Sequence, residues 1–382
     1  MLLLSPLFVV AQTVLDSTIA VPKGKTRITF LENLNHAPDV LTEIDTNLTG
    51  LQRSFNPGYL HNLGNLGSPL FPLVWEAPRI SGFRFGFNQW DFLRLTKSNI
   101  GYYNTQNPFT EMQYVQGSEK YFQLINVIHT QNILPNWNIA GQLKREGSQG
   151  FYQQQNSRNG NVGFSSWYRS PNRRYLVAGS AIFNNFSFEE NGGLLEPIVF
   201  DTAKISNGQR NALDMRLNEA RQSFEDKDFN IQQMLYFGPT QTKQITSDSD
   251  TVSIKLLKPR FYLLHQLSYY KQEYIYTDKS PLSPDSFFYP LVSKPLLTDD
   301  TYGFSRLTNK AGVGFMFSDS AFTKNYSLQA YLKYDYIQTQ MMRYESVYHN
   351  ASLGFSGQKT GKFYLKKVKK SLPAFSPIGY SG

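Results

Sequence analysis

Residues 326–335 read YSLQAYLKYD, and this stretch decides the fold because two classes of side chain alternate along it. In a β-strand, successive side chains point to opposite faces of the sheet. One face would carry Tyr326, Leu328, Ala330, Leu332 and Tyr334, and the other would carry Ser327, Gln329, Tyr331, Lys333 and Asp335. The alternation predicts a strand with one side toward lipid and one side toward water.

The same alternation recurs at residues 137–144, WNIAGQLK, and at residues 229–237, FNIQQMLYF. Gly82 to Trp90 alternates as well, which predicts another strand with its phenylalanines on the lipid side. Segments near ten residues suit a tilted strand that crosses a bilayer, whereas strands of soluble sandwiches have about five or six residues. Roughly eleven to thirteen such runs can be counted. The pattern predicts an all-β fold, a transmembrane antiparallel β-barrel.

The predicted connections differ in length. Ser170 to Arg173 would form a short hairpin turn between strands at Val162–Arg169 and Arg174–Phe188. The next connection, from Glu189 to Asp228, is long and polar, with a helix-like pattern from Ala212 to Arg221. Short turns at one end and long loops at the other are typical of outer-membrane barrels, so we expect the long loops outside the cell.

Loss of the alternation at both ends divides the chain into four parts. Residues 1–11 resemble a signal peptide cleaved before Gln12, although no Lys or Arg precedes its apolar run. Residues 12–78 form an irregular N-terminal extension or plug with one strand at Arg27–Leu31, and residues 79–361 form the barrel strands and loops. Residues 362–382 are an atypical basic tail, which suggests a truncated or frameshifted product and a barrel incomplete at its C-terminus.

Composition excludes several classes of chemistry. The 382 residues include no cysteine, which excludes a disulfide framework, a Cys-ligated metal and a thiol nucleophile. The formal net charge is +9, but five lysines crowd the C-terminal tail, at positions 362, 366, 367, 369 and 370. Nucleic acid is therefore not an expected partner, because the rest of the chain has no continuous basic face.

No motif with catalytic chemistry is present. Gly24-Lys25-Thr26 imitates the end of a phosphate-binding loop, but Ile19 stands where that loop requires glycine. The five histidines are widely separated, without H-E-x-x-H spacing, and there is no G-x-S-x-G elbow. We therefore predict a protein that is not an enzyme, with no catalytic residue, no cofactor and no metal.

Polar residues on the predicted watery faces are candidates for lining a pore: Arg84, Asn88, Gln142, Lys144, Gln329 and Lys333. The cations among them would bias a pore toward anions, since charges in the lumen tune selectivity. A second interpretation places these cations at strand ends in the headgroup region. Both interpretations stay open at this point.

Several short motifs between Tyr59 and Asn191 share their order and spacing with a known family. They are Leu60–Pro69 (LHNLGNLGSP), Tyr102–Thr105, Pro108–Glu111, Tyr114–Gly117, His129–Asn132, Asn136–Asn138, Gly147–Gln154 and Ser170–Pro171. In these the chain resembles the putative porin family of Bacteroidetes-type outer-membrane β-barrel proteins. The resemblance implies a barrel in the bacterial outer membrane, exported by a cleaved signal peptide. It implies no catalytic or ligand-binding residue.

Three functions are compatible with the sequence. The first is a porin-like channel for passive diffusion of small polar solutes through the outer membrane, with membrane lipid and those solutes as its partners. The second is a barrel plugged by its N-terminal extension that acts as a receptor, scaffold or secretion-system component. The third is a secreted soluble β-protein that binds or cleaves glycans. A homo-oligomer is compatible with the sequence, but no feature of the sequence supports one.

Overall fold

The computed structural model describes residues 26–31, 34, 39–40, 60–74, 83–117, 122–196, 210–247, 250–279, 298–318, 325–341, 344–360 and 374–375. The predicted signal peptide, its cleavage before Gln12 and the predicted boundary between residues 78 and 79 lie outside the described residues. So does the basic tail, apart from residues 374–375.

The described chain consists of β-strands joined by turns and irregular segments. Five short strands come first, β1 Arg27–Thr29, β2 Asp39–Val40, β3 Leu60–Asn62, β4 Leu70–Pro72 and β5 Tyr102–Asn104. The remaining strands are β6 Phe109–Gln116, β7 Phe122–Leu134, β8 Trp137–Ser148, β9 Ser157–Arg169, β10 Tyr175–Glu190, β11 Ala220–Phe237, β12 Thr240–Ser247, β13 Asp250–Leu257, β14 Phe261–Asp278, β15 Thr298–Ser318, β16 Asn325–Met341, β17 Tyr344–Thr360 and β18 Ala374–Phe375. Among the described residues, no helix is long and apolar enough to cross a membrane.

One large antiparallel sheet dominates the fold. Its strands follow the order β6-β7-β8-β9-β10-β11-β14-β15-β16-β17-β18, so each strand pairs with its neighbour in sequence except where β12 and β13 intervene. β12 and β13 form a separate hairpin, and β11 pairs directly with β14 from Phe237↔Phe261 to Ala220↔Asp278. Ten of the strands are long and the last, β18, has two residues. The predicted antiparallel all-β fold is confirmed.

The large sheet is not closed among the described residues. Within those ranges no pairing joins β6 to β17 or β18, so the sheet has two separate edges. Closure of the sheet into a transmembrane barrel therefore stays a prediction.

Strand and face predictions are confirmed where the alternation is long. In β8, β11 and β16 the predicted apolar side is the exposed side, and the predicted polar side is the more buried one. The short turn between β9 and β10 is also confirmed, and Arg173 adopts a positive φ of 58° within it. The predicted helix at Ala212 to Arg221 is wrong, because residues 211–219 form turns and bends and β11 begins at Ala220.

The predicted asymmetry of the connections holds in part. Two-residue and five-residue turns join β7 to β8 and β9 to β10 at one end of the sheet, and residues 191–219 join β10 to β11 at the other end. However, the β12–β13 hairpin lies between β11 and β14 at the end that carries the short turns. The two ends therefore differ less sharply than the sequence suggested.

Candidate functional site

The two faces of the large sheet have opposite character. The inner face is the one that contacts the N-terminal part of the chain, and most of its side chains are polar and buried. Its buried polar residues include Asn138, Asn159, Asn161, Asn184, Asp226, Asp228, Asn230, Gln232, Gln266, Ser268, Gln272 and Asp335. The inner face could therefore contact water or a polar solute without further change.

The outer face is apolar over about half the length of each long strand. This apolar band runs from Phe229 to Phe237 on β11 and from Phe261 to Tyr269 on β14, beside the short-turn end. Its large side chains are exposed, for example Ile231 at 49% and Leu263 at 46%. Beyond the band the outer face becomes charged, with Lys227 paired opposite Lys271.

Residues 83–105, which we call the strap, lie across the inner face. The inner face of the large sheet, which we call the wall, donates side-chain hydrogen bonds to strap carbonyls: Ser165 Oγ to Gly101 O at 2.6 Å, Trp167 Nε1 to Tyr103 O at 2.5 Å and Asn161 Nδ2 to Leu93 O at 3.3 Å. Asn184 binds the strap in both directions, because its Oδ1 accepts from Leu95 N at 3.0 Å and its Nδ2 donates to Leu95 O at 2.8 Å. Polar groups of the wall thus satisfy the backbone of a segment with little secondary structure of its own.

An ion pair fixes the middle of the strap. Arg94 Nη1 lies 2.9 Å from Asp226 Oδ2 and donates to Tyr270 Oη at 2.6 Å, and its Nη2 lies 3.1 Å from Asp91. Asn184 Nδ2 donates to the other oxygen of Asp226 at 2.5 Å. Because the Asp226 side chain is 2% exposed, the pair is shielded from water and depends on this complete set of partners.

Apolar contacts seat the strap on either side of that ion pair. Trp90 is fully buried and stacks on Phe186 of β10 with a ring separation of 5.1 Å. Leu95 and Ile100 lie over Gly163 of β9, where an added Cβ would collide with the Leu95 side chain and come within 3.1 Å of Ile100. The absence of a side chain at residue 163 therefore lets the strap approach the wall closely.

The strand predicted at Gly82 to Trp90 is wrong for its described residues. Residues 83–88 are irregular, and Gly86 has a φ of 87°, which an extended strand does not use. The phenylalanines pack on the inner face rather than toward lipid: Phe87 stacks on Tyr274 at 4.1 Å, and Phe83 stacks on Tyr348 at 5.5 Å.

A cavity of about 110 Å³ remains between the strap and the wall. Its walls combine cations, carboxylates and aromatic rings, with the strap supplying Arg84, Phe85, Gly86, Phe87, Asn88, Asp91, Arg94, Thr96, Lys97 and Ser98, and β11, β14 and β15 supplying Asp228, Tyr270, Gln272, Phe304 and Arg306. Burial lowers the pKa of Lys97, and the positive charges of Arg306 and Lys333 lower it further. The negative charges of Asp228 and Asp335 oppose this shift.

The six predicted pore-lining residues fall into three groups. Arg84 and Asn88 line the cavity, and Arg84 Nη2 donates to Asn88 Oδ1 at 2.6 Å and pairs with Asp91 at 2.9 Å. Their placement is on the strap, not on a strand of the sheet.

The second and third groups lie on the inner face of the sheet. Lys333 and Gln329 are on β16, where Lys333 Nζ pairs with the buried Asp335 at 2.7 Å and Gln329 accepts from Tyr262 Oη at 3.2 Å. Gln142 and Lys144 are on β8, and Lys144 Nζ pairs with buried Glu146 at 3.0 Å. A pore-lining role for all six stays a prediction.

Sequence reasoning missed five charged residues of the cavity. Asp228 and Arg306 lie on the polar side of strands that alternate, so a search for charge on that side would have found them. Asp91, Arg94 and Lys97 lie in the part of the strap after Trp90, where no periodicity marks them. In the described part of the chain, no three or more His, Asp or Glu residues come together in a way that could hold a metal ion.

Comparison with known proteins gives one match. A model of the family described as Putative porin matches residues 27–371, nearly the whole chain. No curated protein and no solved structure matches. The family match includes the strap and all ten long strands.

Proposed function

The chain belongs to the Putative porin family, and we propose that it is an outer-membrane β-barrel of porin type through which small polar solutes diffuse passively. Family membership implies the outer membrane as its location. A porin works as a channel without chemical turnover, so the proposal needs no catalytic residue.

The observation that carries the proposal is the inverted character of the sheet. Its buried face is polar and its exposed face is apolar, with Phe315 at 49% and Leu332 at 59% exposure. Monomeric soluble proteins rarely expose contiguous apolar patches above several hundred Å², whereas this band extends across adjacent long strands. A surface of that kind is stable against lipid. A tilted strand of about nine to eleven residues is long enough to cross the bilayer.

Closure of the sheet into a barrel is part of the proposal. A bilayer offers no hydrogen bonds to an open sheet edge, so the edge at β6 and the edge at β17 and β18 must be paired with each other in a membrane. Once closed, the inner face becomes the lumen and the strap lies within it. Passage would then depend on the space that the strap leaves and on the charges around it.

A second function is favoured by the strap itself. Its carbonyls accept from Ser165, Trp167 and Asn161, and its Arg94 is bound to a buried carboxylate. A segment held in this way could plug the lumen, which suits a receptor, scaffold or secretion-system component. The two functions differ in whether the unmodified protein conducts.

Planar-bilayer recordings separate them. We would compare the unmodified chain with Arg94→Met, which leaves the buried carboxylate of Asp226 without its partner and so favours release of the strap from the sheet. A channel conducts before the change and conducts more after it, whereas a plugged barrel is silent before it and opens only afterwards. Heat-modifiable migration on a detergent gel serves as the control for folding of both proteins.

The outcome that contradicts both functions is a protein that stays soluble without detergent and conducts in neither form. That result would favour the third possibility, a soluble glycan-binding β-protein.

A further inference from the structure

Three charged groups of the strap cavity take part in no ion pair among the residues that the structure describes. Within the described residues, neither Lys97 nor Arg306 has a carboxylate within 4.0 Å, and Lys97 Nζ donates only to Ser268 Oγ at 3.3 Å. Asp228 is 6% exposed, and its Oδ1 has no hydrogen-bond partner there. All three residues line the same cavity.

Such an arrangement is unfavourable unless something else occupies the cavity. Buried polar atoms are nearly always hydrogen-bonded, and a buried carboxylate oxygen without a donor loses its hydration without replacement. The other charges of the cavity satisfy each other, because Arg94 binds Asp226 and Arg84 binds Asp91. The remaining set is therefore two cations and one acceptor around the same cavity, Lys97 on the strap and Asp228 and Arg306 on the sheet.

The remaining walls set the size and shape of an occupant. Phe85, Tyr270 and Phe304 supply aromatic surface, and the guanidinium of Arg306 lies 5.7 Å from the Tyr270 ring and 5.9 Å from the Phe304 ring. Stacking of this kind orients a guanidinium and leaves its edge able to donate. At about 110 Å³ the cavity suits a molecule of a few heavy atoms, since drug-sized ligands need roughly 300 Å³ or more.

We propose that the strap cavity binds a small carboxylic acid with a hydroxyl or ammonium group on the neighbouring carbon. The carboxylate is bound by Lys97 and Arg306, and the neighbouring group donates to Asp228. The site rests on the proposed function, because it makes the strap the point at which the channel recognises a class of solute.

Calorimetric titration of the full chain in detergent micelles tests the site without requiring conduction. The probes are lactate and alanine, with propanoate as a carboxylate of matched size that lacks the donor and 1,2-propanediol as a donor that lacks the carboxylate. We expect lactate and alanine to bind with a Kd of about 1 mM or tighter, and propanoate about tenfold more weakly, on the scale of one charge-assisted hydrogen bond.

Three variants assign the contacts. Arg306→Gln should weaken lactate binding about tenfold or more, and Asp228→Leu, which has no acceptor, should abolish the preference for lactate over propanoate. Lys310→Gln is the matched control, since Lys310 is a cation on the same face of β15 but does not line the cavity. The affinity of this variant for lactate should stay within about twofold of that of the unmodified chain.

The outcomes for the site and for the channel are separable. Absence of saturable lactate binding, or equal binding by the unmodified chain and Arg306→Gln, overturns the site even if the protein conducts. Binding with the expected preference in a protein that never conducts supports the site and contradicts the channel. Equal affinity for lactate, propanoate and chloride would show a nonspecific anion site and overturn the proposed solute class.

Discussion

The inner and outer faces of β11 differ in both polarity and burial. On the inner face Asp226, Asp228 and Asn230 are buried at 6% exposure or less, whereas on the outer face Phe229 and Ile231 are exposed at 38% and 49%. In a water-soluble sheet the buried face would be the apolar one. The sheet therefore inverts the usual arrangement, and polar contacts with the strap replace the usual apolar core on much of the inner face.

The largest expected effect is on the inner face, at the strap ion pair. Arg94→Met should lower the free energy of unfolding by about 3–5 kcal/mol, because it leaves Asp226 buried without its partner. Denaturant unfolding in detergent or lipid vesicles would measure it. The control Arg84→Met removes an ion pair between two strap residues that are 27% and 30% exposed, and should cost less than about 1 kcal/mol.

The double variant Arg94→Met/Asp226→Asn sharpens that result. It should recover a large part of the loss, since no unpaired charge remains. If both single and double variants were as stable as the unmodified chain, the ion pair would not be holding the strap to the wall.

A charge on the outer face should have the next largest effect. On β15 the apolar band runs from Leu307 to Phe317, and Val313 lies in its middle. Val313→Arg should destabilise the folded protein in vesicles by about 2–4 kcal/mol, because the proposed function places the guanidinium against hydrocarbon. Thr301→Arg lies on the same face of the same strand beyond the band, so it should change stability by about 0.5 kcal/mol or less. Equal effects of the two changes would contradict the assignment of the band to lipid.

A smaller effect is expected where strap and wall touch most closely. Gly163→Ala places a methyl group against Leu95 and Ile100, and should cost about 1–3 kcal/mol by overpacking. Gly160→Ala, on the outer face of the same strand, meets no atom within 4 Å and should be nearly neutral. The unfolding temperatures of the two variants can be compared by heat-modifiable migration on a detergent gel. An unchanged unfolding temperature for Gly163→Ala would mean that the strap does not pack against the sheet at that position.

The smallest effect concerns an ion pair of the outer face. Arg221 Nη2 lies 2.8 Å from Glu189 Oε1, close to the Arg94–Asp226 distance, but the Arg221 side chain is 56% exposed. Glu189→Gln should therefore cost at most about 1 kcal/mol, measured by the same denaturant unfolding. A cost as large as that of Arg94→Met would show that burial does not explain the difference between the faces.

The sequence predicted the sheet well because period-two alternation depends on the local chain alone. It therefore identified β8, β11 and β16 with their correct faces. The same signal misled at residues 83–88, since Phe83, Phe85 and Phe87 alternate whether their partners are lipid tails or aromatic side chains more than 180 residues later. The helix-like composition at residues 212–221 also misled, because the stretch forms turns and bends up to Glu219 and only Ala220 and Arg221 pair with β10.

The candidate site was less predictable for the same reason. Arg84, Asn88 and Lys333 were identified by their polarity on presumed strands, and two of these three line the cavity. Arg94 and Lys97 owe their positions to contacts with Asp226 and Ser268, 132 and 171 residues away. The spacing of residues within the strap does not predict partners that lie so far away along the chain.

The distance along the chain between Arg94 and its partners has a consequence for the order of assembly. Nearly every long strand pairs with the strand that precedes it, so the sheet can grow one hairpin at a time as the chain emerges. The strap precedes all of these strands, yet its binding surface exists only after β9, β10, β11 and β14 have paired. Until those strands have paired, the strap therefore has no surface to bind, and its docking marks the point at which the central part of the sheet is complete.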